Sequence, residues 1–229
     1  MSRLQAELQR LYPPNDAAAP GQLRAMVLEL AGPPGWPDLA RAWQGVQADL
    51  GLPAPAIAVS GRDGHQLWFS LAQPVPAAQA LEFLAALRQR YLPDVEPGRV
   101  SMRPCGAAPP VEVASGQWSA FVAPDLAALF ADEPWLDLPP SAEAQADLLS
   151  RLASTTPDDW RRALERLQPP APAAAERGPD TKEDPATPRP ALDPRRFLLD
   201  VMSDPAMDMR WRIEAAKALL PDTAGRARA

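Results

Sequence analysis

Residues 169–193 read PPAPAAAERGPDTKEDPATPRPALD. Apart from Leu192, this stretch holds only proline, alanine, glycine, threonine and charge. A segment with so little apolar surface cannot offset the entropy lost on ordering it. Its composition predicts a disordered Pro/Ala-rich linker. The 229-residue chain therefore has to fold in parts. The parts are a domain over 1–168, the linker over 169–193, a short unit over 194–221 and a disordered tail over 222–229.

Hydrophobic residues make up 46% of the chain, but much of that is alanine, which buries little area, so the core of the first part is modest. Ser2 to Leu11 reads as a helix with Leu4, Leu8 and Leu11 on one stripe, ended by Pro13 and Pro14. Leu23 to Leu30 is a nearly continuous apolar run and reads as a buried strand. Asp38 to Leu50 reads as a helix with Leu39, Trp43, Val46 and Leu50 on one face. Ala56 to Ser60 and His65 to Leu71 are apolar runs joined by the turn GRDG, the signature of a hairpin.

Pro76 suits the first position of a helix running to about Tyr91, with Ala77, Leu81, Leu84, Leu87 and Tyr91 inward. Arg99 to Met102 and Gln117 to Val122 are further strands, and Asp125 to Phe130 is a helical turn. Ser141 to Leu152 is a helix, and Thr156, Pro157 and Asp159 start another that ends near Leu167. This order predicts an α+β fold: a mainly antiparallel sheet with helices packed on one face, then the disordered linker and a C-terminal helical hairpin. The hairpin pairs a helix carrying Phe197, Leu198, Val201 and Met202 with Arg210 to Leu220, which carries Ile213 and Leu220. Two helices of this length need a partner surface to hold.

Charge and residue counts exclude several chemistries. The net charge is −6, and the pI is near 4.9. Proteins that grip DNA non-specifically are normally basic, so any basic contact surface has to be local. Cys105 is the single cysteine and His65 the single histidine. No internal disulfide, cysteine-based zinc site or multi-histidine metal site can form. Cys105 reads as an inert thiol. Met1 to Tyr12 lacks the apolar centre of a secretory signal, and no run is long enough to span a membrane. The expectation is a cytoplasmic protein that does not engage membranes.

The stretch from Met26 to Tyr91 carries the most specific pattern. A strand ends in V-L-E-L-A-G-P-P, a helix follows, and a second strand ends in the turn S-G-R-D-G-H-Q-L-W, leading to an apolar strand and a further helix. This resembles the palm of archaeo-eukaryotic primase-polymerases, in particular the polymerase domain attached to bacterial DNA ligases. In that family the first strand ends in an acidic-apolar-acidic triplet, and a Ser-Gly-x-Gly-x-His turn follows. The carboxylates there hold two divalent cations against a triphosphate.

Departures from that pattern bear on function. Glu29 stands at the first acidic position, but Ala31 stands at the second. The turn keeps Ser60, Gly61 and Gly64 and is one residue longer. Aligned from Leu67-Trp68, Gln66 takes the place of the family histidine, while His65 sits one residue early and so faces the other side of the strand. The third acid would fall within Arg99 to Arg103, where none exists.

The resemblance therefore implies a non-catalytic, degenerate module. Glu29, Ser60, Gly61, Arg62, Gly64, His65 and Gln66 would line the old active-site face, with nucleic-acid or nucleotide association there. No catalytic residue, metal ligand or cofactor is expected, and the missing acids argue against a divalent cation. The glycine turn could offer backbone N–H groups to a phosphate, with Arg62 supplying charge. The plainer alternative is that GRDG only turns a hairpin and Glu29 only ends a strand. On that view His65 is a turn-flanking surface residue.

Two other features fit more than one reading. Asp200, Asp204 and Asp208 suit turn and cap roles better than a cation site, because Pro205 interrupts them. The seven tryptophans could include base-stacking platforms. Trp43 belongs to a helix stripe, and Trp68 fits either reading.

The segment FLLDVMSDPAMDMRWRIEAAKALLP is similar both to part of some phage terminase small subunits and to a HEAT-type helical pair; a generic amphipathic hairpin is a third reading. Each implies an apolar face to be buried. Phe197, Val201, Ile213 and Leu220 would then dock a protein partner, which makes an interaction adaptor the alternative to a DNA-associated role.

Overall fold

The computed structural model describes residues 1–14, 19–32 and 35–168. The predicted linker, hairpin and tail lie outside the described residues, and with them Phe197, Val201, Ile213 and Leu220.

The domain is α+β. Helix α1 (Arg3–Leu11) opens it, with the Ser2 hydroxyl accepting the Gln5 N–H. Strand β1 (Gln22–Ala31) and helix α2 (Trp36–Ala48) follow, then β2 (Ala56–Val59) and the long β3 (Gly64–Pro76). Helix α3 (Ala77–Tyr91) leads to β4 (Val100–Pro104). Three short strands come next: β5 (Glu112–Ala114), β6 (Gln117–Trp118) and β7 (Ala120–Val122). A 3-10 turn (Ala127–Phe130), α4 (Ala142–Ser150) and α5 (Pro157–Leu167) complete it. The cap of α5 is the predicted one, with the Thr156 hydroxyl accepting the Asp159 N–H.

The main sheet has the order β4-β1-β3-β2-β7, and each of its pairings is antiparallel. Helices cover both faces, not the single face the sequence suggested. Met26, Leu28 and Leu30 of β1 join Leu67, Phe69 and Leu71 of β3 in one core, packed against Leu39 and Val46 of α2, Phe83 and Leu87 of α3 and Trp160 of α5. The alternate residues Ala25 and Val27 join Trp68 and Phe121 in a second core under Leu4 and Leu11 of α1 and Ala146 and Leu149 of α4. The physical reason lies in β1 and β3. Their central residues are buried at successive positions, so both faces of each strand need a cover.

Two further expectations are corrected. Leu81 is exposed, and the inward stripe of α3 runs through Ala80, Phe83, Leu84 and Leu87. The run Gln117 to Val122 is two strands, because Ser119 leaves the ladder to exchange hydrogen bonds with Val111. β6 pairs with β5 in a separate ribbon, and β7 closes the edge of the main sheet.

The β7 edge is sealed in an unusual way. An antiparallel strand directs the backbone groups of every second residue away from its partner. Phe121 N–H donates to Oε1 of Gln145 at 2.8 Å, and Nε2 of Gln145 donates to the Phe121 carbonyl at 2.9 Å. Gln145, from α4, is 4% exposed. Its amide thus stands in for one residue of a neighbouring strand and blunts the edge.

Candidate functional site

Strand register assembles the first cluster. Glu29 pairs with Gln66 across β1 and β3, and with Ser101 across β1 and β4. Arg103 pairs with Val27, two residues along on the same face of β1. The Glu29 carboxylate accepts from Gln66 Nε2 at 3.1 Å and from Arg103 Nη2 at 3.1 Å, both at Oε2. Trp68 Nε1 donates to Gln66 Oε1 at 2.7 Å, which fixes the orientation of the Gln66 amide. The result is a polar chain of Trp68, Gln66, Glu29 and Arg103 on the α1/α4 face of the sheet. The Glu29 side chain is 18% exposed and that of Arg103 37%.

This arrangement holds one carboxylate, and an arginine already compensates it. Two-metal chemistry needs several carboxylates free to face cations. Among the described residues, no three His, Cys, Asp or Glu side chains gather as a metal site would require. The chemistry left to the cluster is hydrogen bonding and charge, with Arg103 as its exposed end.

The turn Ser60 to Gly64 does not have the predicted anion nest. The Ser60 hydroxyl accepts from the backbone N–H groups of Arg62, Asp63 and Gly64 at 3.1, 3.2 and 3.0 Å. Gly61 N–H donates to the Pro134 carbonyl at 2.9 Å. The donors a phosphate would need are therefore engaged within the protein. Gly61 adopts φ +81°, and a Cβ there would lie 2.1 Å from Val113 Cγ2, so only glycine fits under the β5–β6 ribbon. Arg62 is exposed. The Asp63 carbonyl accepts from Gly32 N–H at 2.7 Å, and Arg99 donates to the carbonyls of Ala31 and Gly32, each at 2.8 Å. Arg62 and Arg99 thus sit at the same end of the sheet, where β1 finishes.

His65 lies on the opposite face from Gln66, as strand parity required, and so does not line the face of Glu29 and Gln66 with which the resemblance grouped it. It pairs with Leu30 and packs against the Trp36 ring at 5.6 Å. The expectation of a surface residue fails: His65 is 1% exposed. Its Nε2 is 3.1 Å from the Ala127 carbonyl, and that contact is a hydrogen bond when Nε2 carries the proton. Burial holds its pKa below the ordinary histidine value, only partly opposed by the Ala127 carbonyl. His65 is a neutral core residue that fastens the 3-10 turn.

Trp68 is 1% exposed, which removes it as a stacking platform. Trp43 is half-buried, and its indole donates to the Pro55 carbonyl. Cys105 is buried at a cleft of about 640 Å³ between α1 and the segment after β4. Burial pushes its thiol pKa up to about 11. Among the described residues no helix is long and apolar enough to cross a membrane.

Sequence reasoning overlooked Arg99 and Arg103 as contributors and saw only the acids missing from RVSMR. The period-two spacing of Ser101 and Arg103 was the available signal for Arg103, whereas Arg99 closes the 3-10 turn Pro97–Arg99 that precedes β4. What fold and site define together is a class: a two-faced antiparallel α+β domain with an arginine-compensated glutamate at its centre. No family model matches the chain, and no curated protein matches it in sequence.

Proposed function

We propose that this domain is a non-catalytic, primase-polymerase-like module that associates weakly with single-stranded or primer-template nucleic acid. The observation that carries the reading is the meeting of Glu29, Gln66 and Arg103. These are the positions that the resembled palm gives to an acid, the histidine and the third-acid region. Register brings them into one hydrogen-bonded cluster, and the third position offers a cation where catalysis would need an acid.

The contact surface would be Arg62, Arg99 and Arg103. A few arginines release few counterions, and the neighbouring Asp63 adds repulsion, so affinity is modest and falls with salt. Fluorescence anisotropy of labelled single-stranded and primer-template DNA, with full-length protein at two salt concentrations, tests this. The expected result is salt-sensitive binding that weakens in the double variant Arg62→Ala/Arg103→Ala. Equal binding by that variant, or template-dependent nucleotide addition lost in Glu29→Ala, would refute the reading.

A further inference from the structure

Acidity in this chain is concentrated in one stretch. Between Pro104 and Ser150 there are seven acidic residues and no Lys, Arg or His, whereas the rest of residues 1–168 holds twelve acids and thirteen arginines. Within that stretch, residues 125–139 also expose large apolar side chains. Leu129 is 77% exposed, Leu138 75% and Leu126 46%. A groove of about 460 Å³ runs between Leu129, Phe130, Trp135 and Leu138, with Glu133 and Asp137 in its wall.

The acids here are not neutralised from within. Asp125, Asp132, Glu133 and Asp137 form no ion pair with any described residue. Asp137 does accept the Trp135 indole N–H at 3.3 Å. By contrast Glu143 and Asp147, in the same acidic stretch, are both met by Arg3.

The segment is also held in place rather than loosely looped. The Ala127 carbonyl meets His65 Nε2, and the Pro134 carbonyl meets Gly61 N–H. Leu136 and Trp118 exchange two backbone hydrogen bonds at 2.8 and 3.0 Å. The leucines are thus exposed by the architecture around them. Exposed apolar side chains beside uncompensated charge mark interaction surfaces, and the sign of the charge selects the partner.

We propose that residues 125–139 form a docking surface for a basic, leucine-bearing segment of a protein partner. Its apolar side chains fill the groove between Leu129 and Leu138, and its arginines or lysines meet Asp132, Glu133 and Asp137. Polyanions and anionic lipid surfaces are repelled by the same acids. A pre-formed groove also lowers the cost of ordering on binding.

The test uses full-length protein and a fluorescein-labelled amphipathic peptide with leucines on one helical face and arginines on the other. A second peptide carries glutamate for arginine. The arginine peptide is expected to bind saturably, and the glutamate peptide is not. Leu129→Ser and the double variant Glu133→Lys/Asp137→Lys should each weaken binding by about tenfold, the effect of losing a central contact. Asp158→Lys, an exposed acid on α5, should leave the affinity unchanged. Full-strength binding by Leu129→Ser, an equal loss in Asp158→Lys, or no saturable binding would each overturn the proposal. So would loss of DNA binding on Leu129→Ser, because that would give the groove to nucleic acid.

Discussion

Replacing Gln145 tests how the sheet edge is closed. Gln145→Leu keeps the approximate volume and removes both amide hydrogen bonds to Phe121. The strand N–H and carbonyl are then buried beside an apolar group with no partner. Each orphaned group costs about 1–3 kcal/mol, so with two of them the expected loss is about 2–6 kcal/mol. That is a large fraction of the stability of an ordinary domain. Gln145→Glu separates hydrogen bonding from shape. An ionised carboxylate still accepts from Phe121 N–H but sets a second acceptor against the Phe121 carbonyl. A protonated one can donate to that carbonyl, so protonation is favoured in the folded state and the folded pKa rises above its unfolded value. For this variant, stability is greatest below the unfolded glutamate pKa of about 4.3 and is lost as pH rises through the folded pKa. Urea denaturation followed by tryptophan fluorescence, run at mildly acidic and neutral pH, reads both effects. If Gln145→Leu lies within about 0.5 kcal/mol of the parent protein, or Gln145→Glu shows no pH dependence beyond the parent's own, the edge-sealing argument is wrong.

Gly61→Ala should cost about 2–4 kcal/mol, combining left-handed backbone strain with a clash against Val113, and denaturant midpoints will show it. The folded pKa of His65 is depressed, so its contribution is complete above the unfolded value of about 6.5 and declines as pH falls toward the folded value. His65→Phe should flatten that part of the stability–pH curve, and an unchanged slope would contradict it. With a thiol pKa of about 11 against an ordinary 9.0, Cys105 should hold about 100-fold less thiolate at neutral pH. Iodoacetamide labelling followed by mass spectrometry should be correspondingly slow, and labelling at the rate of an exposed peptide thiol would rule that out.

Features with a local cause were legible in the sequence. The parity of one strand decided that His65 would face away from Gln66, while the meeting of Gln66 with Glu29 came from the register of β1 against β3. The cap at Thr156 fell where the sequence placed it, and the helices read as starting at Ser2 and Ser141 have those serines as their N-caps. What escaped needed contacts distant along the chain. The helix cover on both faces was implied by the nearly continuous apolar run from Leu23 to Leu30, yet periodicity alone cannot say which helices supply it. The burial of His65 depends on Ala127, and the engagement of the turn donors depends on a hydroxyl whose rotamer no pattern reveals. In α3 the apolar residues are distributed almost around the whole circumference, so the sequence offered several stripes and the wrong one put Leu81 inside. Gln145 looked like an ordinary polar helix residue because its role exists only beside an unpaired strand.

The three fastenings of residues 125–139 have a consequence for motion. Two tie this segment to the Gly61 and His65 end of β2 and β3 through one hydrogen bond each, and the third ties it to the β5–β6 ribbon through two. Such a segment is expected to open as one cooperative unit at a free energy below that of global unfolding, leaving the rest of the sheet intact. The amides of Gly61, Trp118 and Leu136 should then exchange with solvent together, at a common rate faster than those at the centre of β1. Anything that binds the closed form slows all three, so the Ser60–Gly64 corner reports occupancy of a surface it does not itself provide.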